Sequence, residues 1–257
     1  MKLSFVYLNA DDEFRKIDYL FYKRCYYGLW FISYYLSSGI SKLKVETDHY
    51  NRLSIELHPS KEGCEEMFST NVLVAYVRFR EDELKHFNSL TEMSQRYEFF
   101  LSLYERGFRM AISCGYTEIP IVALHEAQQR FREDGYKNEW IWKKKLLRED
   151  DMYLFFKVHF TFSYISMELI VMDKKKTRVR CQKEILRTIT FYDSFWGYFR
   201  KLEIGEDDII INDFINKPFL TIDRKELRKN NIIVTYHDDF FIKGQKSNKE
   251  LIDEMTW

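Results

Sequence analysis

From Asn138 onward the chain alternates. Leu154, Phe156, Val158, Phe160 and Phe162 fall on one side of an extended segment, and Tyr153, Phe155, Lys157, His159 and Thr161 on the other. A strand before it places Trp140 and Trp142 on the same side as each other. A strand from Ile165 to Met172 follows, turning through Asp173 to Lys176 into another that starts at Arg178. The pattern predicts an antiparallel four-strand meander with one face in the core and the other mixed. Beyond it the sequence predicts strand pieces at Ile209 to Ile211 and Phe219 to Ile222, a short helix from Arg224, a strand at Ile232 to Tyr236, and a polar tail from Gly244.

The first half follows a different period. Residues 2–8 read as a strand, and Asn9 or Asp11 can cap a long helix that ends near Gly39. Tyr19, Tyr22, Tyr26 and Trp30 form one stripe on it, with Ile17, Leu20, Tyr27, Phe31 and Tyr35 beside them, so the helix is apolar around most of its girth and needs cover on two sides. Strands are expected at Lys42 to Thr47, Arg52 to His58 and Asn71 to Phe79, with a turn around Asp48 to Asn51. Helices are expected at Glu81 to Asn88, at Thr91 to Ser113, and from a Thr117 cap to just before Gly135. The fold class that results is α+β, with the C-terminal antiparallel meander packed with helices from the N-terminal half. Residues 1–135 would form a mixed region and 136–257 a β-rich one, as two lobes or as one continuous domain.

Composition narrows the function more than it names it. The 257 residues include 22 Phe, 18 Tyr and 5 Trp but only 9 Gly and 3 Pro, the profile of a packed globule with few of the glycine loops that cradle phosphates. Forty basic and forty acidic residues leave no net field to favour nucleic acid or an anionic membrane. Cys25, Cys64, Cys114 and Cys181 show no metal-site spacing and read as reduced, mostly buried thiols. The charge-free run from Cys25 to Ser41 holds four Tyr, four Ser and two Gly, which suits a buried helix better than a membrane span. A cytoplasmic location is the expectation that follows.

Most catalytic motifs cannot be written in this chain. It has no GxG pair, no GxxxxGK and no GxSxG, and His125-Glu126 is followed by Gln129 where a zinc-protease helix would carry its second histidine. Asp213, Asp223 and Lys225 resemble the metal-dependent nuclease pattern of the restriction-endonuclease-like fold, over about a dozen residues and without the proline before the first acid. The resemblance implies Mg²⁺ held by two carboxylates. The same Asp223-Arg224-Lys225-Glu226 also spells a helix capping box. Lys174, Lys175, Lys176, Arg178, Arg180 and Lys183 form the densest basic run, suited to phosphates or an acidic partner surface, or to a hairpin turn and strand edge protected by charge.

The reading that results is a non-catalytic protein that binds another protein and needs no cofactor. In type it resembles the motif-poor immunity proteins with which bacteria neutralise toxins. Its binding residues would be Trp140, Trp142, Tyr153, Phe155 and His159 on the mixed meander face, since aromatics dominate interface hot spots. The alternatives are the Mg²⁺-dependent nuclease and an assembly subunit joined through the aromatic first helix.

Overall fold

A computed structural model describes residues 1–190, 199–237, 250 and 252–253. The chain divides into two compact units, Met1–Asn138 and Glu139–Trp257. Both helices and strands are abundant, and the fold is of the α+β class.

The first unit is built on a four-stranded sheet of β1 (Phe5–Ala10), β2 (Arg52–His58), β3 (Gly63–Met67) and β4 (Val72–Arg78), in the order β1-β2-β4-β3. β1, β2 and β4 are parallel and β3 runs against β4. The strand expected at 42–47 is absent: Ser41–Leu43 form a 3-10 turn, and Lys44 takes a left-handed φ of 52°, which ends any extended run there. Sequence pattern misses β3 because it is an edge strand, where Glu65 and Met67 meet solvent and no apolar alternation is needed.

The single long helix expected after β1 is three pieces, α1 (Phe14–Ile17), α2 (Tyr19–Gly28) and α3 (Trp30–Ile40). Asp18 makes the first break. Its backbone is extended and its carboxylate accepts the Phe21 amide at 2.9 Å, so it caps α2 instead of continuing α1. α3 lies on β1 through small polar residues: the Ser37 hydroxyl bonds both the amide and the carbonyl of Val6, at 2.8 and 3.1 Å. After β4 come α4 (Glu81–Ser89), α5 (Met93–Ser113) and α6 (Ile121–Glu133). α5 crosses the sheet at Gly107, which rests against Ile55 of β2. α6 covers α3 and α5, with the Gln128 amide bonded to the Leu101 carbonyl at 2.9 Å.

The second unit opens with the meander β5 (Asn138–Leu147), β6 (Met152–Phe160), β7 (Ile165–Asp173) and β8 (Val179–Thr188), in that spatial order. Leu154, Phe156, Val158, Phe160 and Phe162, the positions assigned inward by period, are at most 2% exposed. A second antiparallel sheet follows, of β9 (Lys201–Ile204), β10 (Asp208–Asn212), β11 (Pro218–Asp223) and β12 (Val234–Tyr236), with α7 (Arg224–Arg228) between the last two strands. Within this unit the two sheets meet through a line of rings in which Trp142 touches Phe156 and Phe199, and Phe219 touches Phe199 and Tyr236. Of the polar tail expected from Gly244, all but residues 250, 252 and 253 lie outside the described residues.

Candidate binding face

The outer face of the meander follows from the register of β6 on β7. Tyr153 pairs with Met172, Phe155 with Ile170, Lys157 with Glu168 and His159 with Ser166. Residues opposite one another in a sheet share a face, so Tyr153, Phe155, Ile170 and Met172 form one apolar block. All four are half-buried, whereas the other face of the same two strands is closed. The Tyr153 and Phe155 rings lie 5.9 Å apart, and the Lys176 ammonium sits 4.4 Å over the Tyr153 ring. On β8, Val179 continues the block beside Met172 and is 44% exposed.

Toward the opposite end the face becomes charged. Glu139 accepts from Lys157 at 2.6 Å and faces the His159 Nδ1 at 2.9 Å, while the His159 Nε2 faces Glu168 at 3.3 Å. A carboxylate only accepts, so the imidazole serves both partners at once when both ring nitrogens carry hydrogen. Burial pushes the Glu139 carboxyl up, but its bonds to Lys157 and His159 outweigh that and hold it below the usual range.

The five residues nominated from sequence are therefore divided. Tyr153, Phe155 and His159 share the outer face. Trp142 belongs to the inner one, edge-on to the buried Phe156 at 5.9 Å, and Trp140 follows it on the same side of the strand. Alternation fixes which residues of one strand share a side, but it does not fix which side of β5 lies with which side of β6. Glu139 and Ile141 take the outer positions on β5, and Ile141 is 46% exposed. Ile141, Ile170, Met172 and Lys176 were missed; the signal that finds Ile170 and Met172 is the turn at residues 161–164, which sets their β6 partners, and Lys176 lies in the turn from β7 to β8.

The basic run has a partly structural role. Arg180 bonds the Asn230 side chain at 2.8 Å, Lys183 bonds the Ile232 carbonyl at 3.0 Å, and Lys174 pairs with Asp151 at 2.8 Å. The Asp173 carboxylate organises the turn by accepting the Thr177 amide at 2.7 Å and its hydroxyl at 2.6 Å. Lys175, Lys176 and Arg178 are presented to solvent at the end of the sheet where Tyr153 and Met172 lie.

The nuclease-like trio is engaged in local structure. Asp213 accepts the Ile215 and Lys217 amides at 2.9 and 2.8 Å in a turn, Lys225 pairs with Asp207 at 2.9 Å, and Asp223 caps α7 by accepting the Glu226 amide at 3.0 Å. Glu226 bonds Lys229 and Asn231. Asp223→Ala should lower the unfolding free energy by about 1 kcal/mol, the usual worth of such a cap, in a urea titration. A Mg²⁺-dependent DNA cleavage activity abolished by the same change would instead favour the nuclease pattern.

One further cluster was not nominated from sequence. Among the described residues, Asp11, Glu13 and His58 bring ligand-type atoms within 4.8 Å of one another, beside the C-terminal ends of β1 and β2. The His58 Nδ1 accepts the amides of Ser60 and Lys61 at 3.1 and 2.9 Å, so the hydrogen of the neutral ring lies on Nε2. That ring offers a donor to its carboxylate neighbours, not the lone pair that a cation needs. Burial, together with the neighbouring Asp11 carboxylate, raises Glu56 beside it. His125 lies on an open polar groove of about 630 Å³ between α5 and α6, 3.6 Å from Glu105.

The cysteines correct the expectation of mostly buried thiols. Cys25 is buried, Cys64 and Cys181 are partly covered, and Cys114 is exposed.

Neither a protein-family model nor a curated protein nor a solved structure matches the chain significantly. Among the described residues no helix is long and apolar enough to cross a membrane.

Proposed function

We propose that this chain is a protein-binding module that uses the outer meander face to hold an acidic surface of its partner, as an immunity-type protein neutralising a toxin would. The observation that supports this is the Tyr153, Phe155, Ile170 and Met172 block on a sheet whose other face is already packed. Amphipathic rings beside cations are suited to interface hot spots, and Lys175, Lys176 and Arg178 give one end of the block a positive rim. The carboxylates of Glu139, Glu168 and Glu184 toward the opposite end of the same face disfavour a uniformly anionic ligand such as a nucleic-acid backbone, so the acidic part of the partner meets only the basic rim.

The experiment is co-expression with a toxin encoded beside this gene. The wild-type chain is expected to form a complex with it and to restore growth, and the Tyr153→Ala/Phe155→Ala variant to do neither while folding normally. Equal rescue by the double variant would remove this face from the account.

A second reading, self-assembly through the first helices, draws on Ile17, Tyr19, Leu20 and Tyr26, which are all exposed along α1 and α2. It requires a mass in solution above that of one chain. A monomer excludes it.

A further inference from the structure

Two of the cysteines, far apart in sequence, meet. Cys64 lies on β3, the edge strand of the first sheet, and Cys114 is the residue that ends α5. The two sulfurs lie close enough to influence each other, and Cys64 shares its side of β3 with Glu66, two residues on. An independent contact shows the same two segments running side by side: two residues beyond each cysteine, the Tyr116 hydroxyl donates to the Glu66 carboxylate at 2.9 Å. Cys114 is exposed and Cys64 partly covered, so a small oxidant can approach the first of them directly.

We propose that Cys114 and Cys64 form a redox-active dithiol, with Cys114 as the attacking thiol and Cys64 as the resolving one, that exchanges with low-molecular-weight disulfides such as oxidised glutathione. The Cys114 thiolate attacks one sulfur of glutathione disulfide; the bond between the two glutathione sulfurs breaks and one glutathione leaves as a thiolate. Cys64 then gives up its proton and attacks the Cys114 sulfur of the mixed disulfide, and the second glutathione leaves. The protein dithiol is oxidised by two electrons, one glutathione disulfide is reduced to two thiols, and the two thiol protons pass to them. Burial, and after it the neighbouring Cys114, pushes the Cys64 thiol well up, which suits it to the slower, resolving role. The bond that forms pins the edge strand to the end of α5, closing the hairpin of β3 and β4 onto the helix.

The test treats the full chain with oxidised glutathione, quenches with a maleimide and maps the cysteines by mass spectrometry. In the wild type the expected product is a disulfide joining 64 to 114, with Cys25 and Cys181 alkylated on unfolding. In Cys64→Ser the reaction should stop at a glutathione adduct on Cys114. In Cys114→Ser, Cys64 should react at least about tenfold more slowly than Cys114 does in the wild type. A glutathione adduct that persists on wild-type Cys114 without the cross-link, or a Cys64 that reacts as fast alone, would overturn the proposal. The wild-type mapping needs no variant, so a substitution that disturbs folding does not blunt it.

Discussion

Asp150→Asn is expected to cost the second unit about 3–5 kcal/mol of unfolding free energy, the usual loss when one partner of a buried ion pair is removed. The Arg224 and Asp150 side chains are only 6% and 4% exposed and lie 2.6 Å apart. Arg224 also donates to the Gly205 carbonyl at 2.6 Å, and Arg228 reaches the second Asp150 oxygen at 2.7 Å. One carboxylate thus ties the turn between β5 and β6 to α7. Asparagine would keep the shape and leave the buried guanidinium with only the exposed Glu149, 3.1 Å away, as counter-charge. Burial pushes the Asp150 carboxyl up, but the bonds from Arg228 and Arg224 and their charges outweigh it, so the folded value lies below the ordinary one. A depressed carboxyl contributes stability above its unfolded value of about 3.9, and that contribution disappears as pH falls through the folded value. Urea midpoints should therefore fall steeply in the wild type below about pH 4, and less steeply in Asp150→Asn.

Gly107→Ala is the second large effect, and its sign runs against helix propensity. In the middle of an exposed helix the change would gain up to about 1 kcal/mol. Here a Cβ would lie 2.4 Å from Cγ1 and 2.6 Å from both Cδ1 and Cγ2 of Ile55. Both branches of that β-branched side chain are already against the glycine, so rotation about χ1 exchanges one clash for the other. Ile55 is fully buried on β2, between Leu8 and Ala75. The expected result is a net loss of about 1–3 kcal/mol, with α5 lifted from the sheet. In a double-mutant cycle, Ile55→Ala combined with Gly107→Ala should cost less than the sum of the two alone, because each change relieves the other. Additive costs would show that the helix does not touch the sheet at this point.

These two contacts also show where sequence reading stops. The alternation from Leu154 to Phe162 is legible because one face is buried along its whole length, so every second residue is under the same demand. The break at Asp18 is also written in the chain, as a capping residue inside an apolar stripe, but the stripe is the stronger signal and hides it. β3 leaves no pattern, since an exposed edge asks little of its side chains. In the second sheet of the second unit, short apolar runs mark β10, β11 and β12, whereas β9, four residues long, leaves no period to count. Pairings such as Asp150 with Arg224, Gly107 with Ile55 and Cys64 with Cys114 join residues fifty or more positions apart, and nothing local marks them. The candidate face was legible in half: Tyr153, Phe155 and His159 from alternation, but not the partners that β7 supplies nor the inward side of Trp142.

The central claim is that the outer meander face carries recognition, and affinity for the partner protein tests it most directly. Calorimetric titration should compare the wild type with Tyr153→Ala/Phe155→Ala and with Tyr19→Ala/Tyr26→Ala, a control on the exposed side of α2. The account predicts that the first pair loses at least about 30-fold in affinity, the worth of one hot-spot side chain, while the control binds as the wild type does. Unchanged affinity in the first pair, or a loss confined to the control, would contradict it.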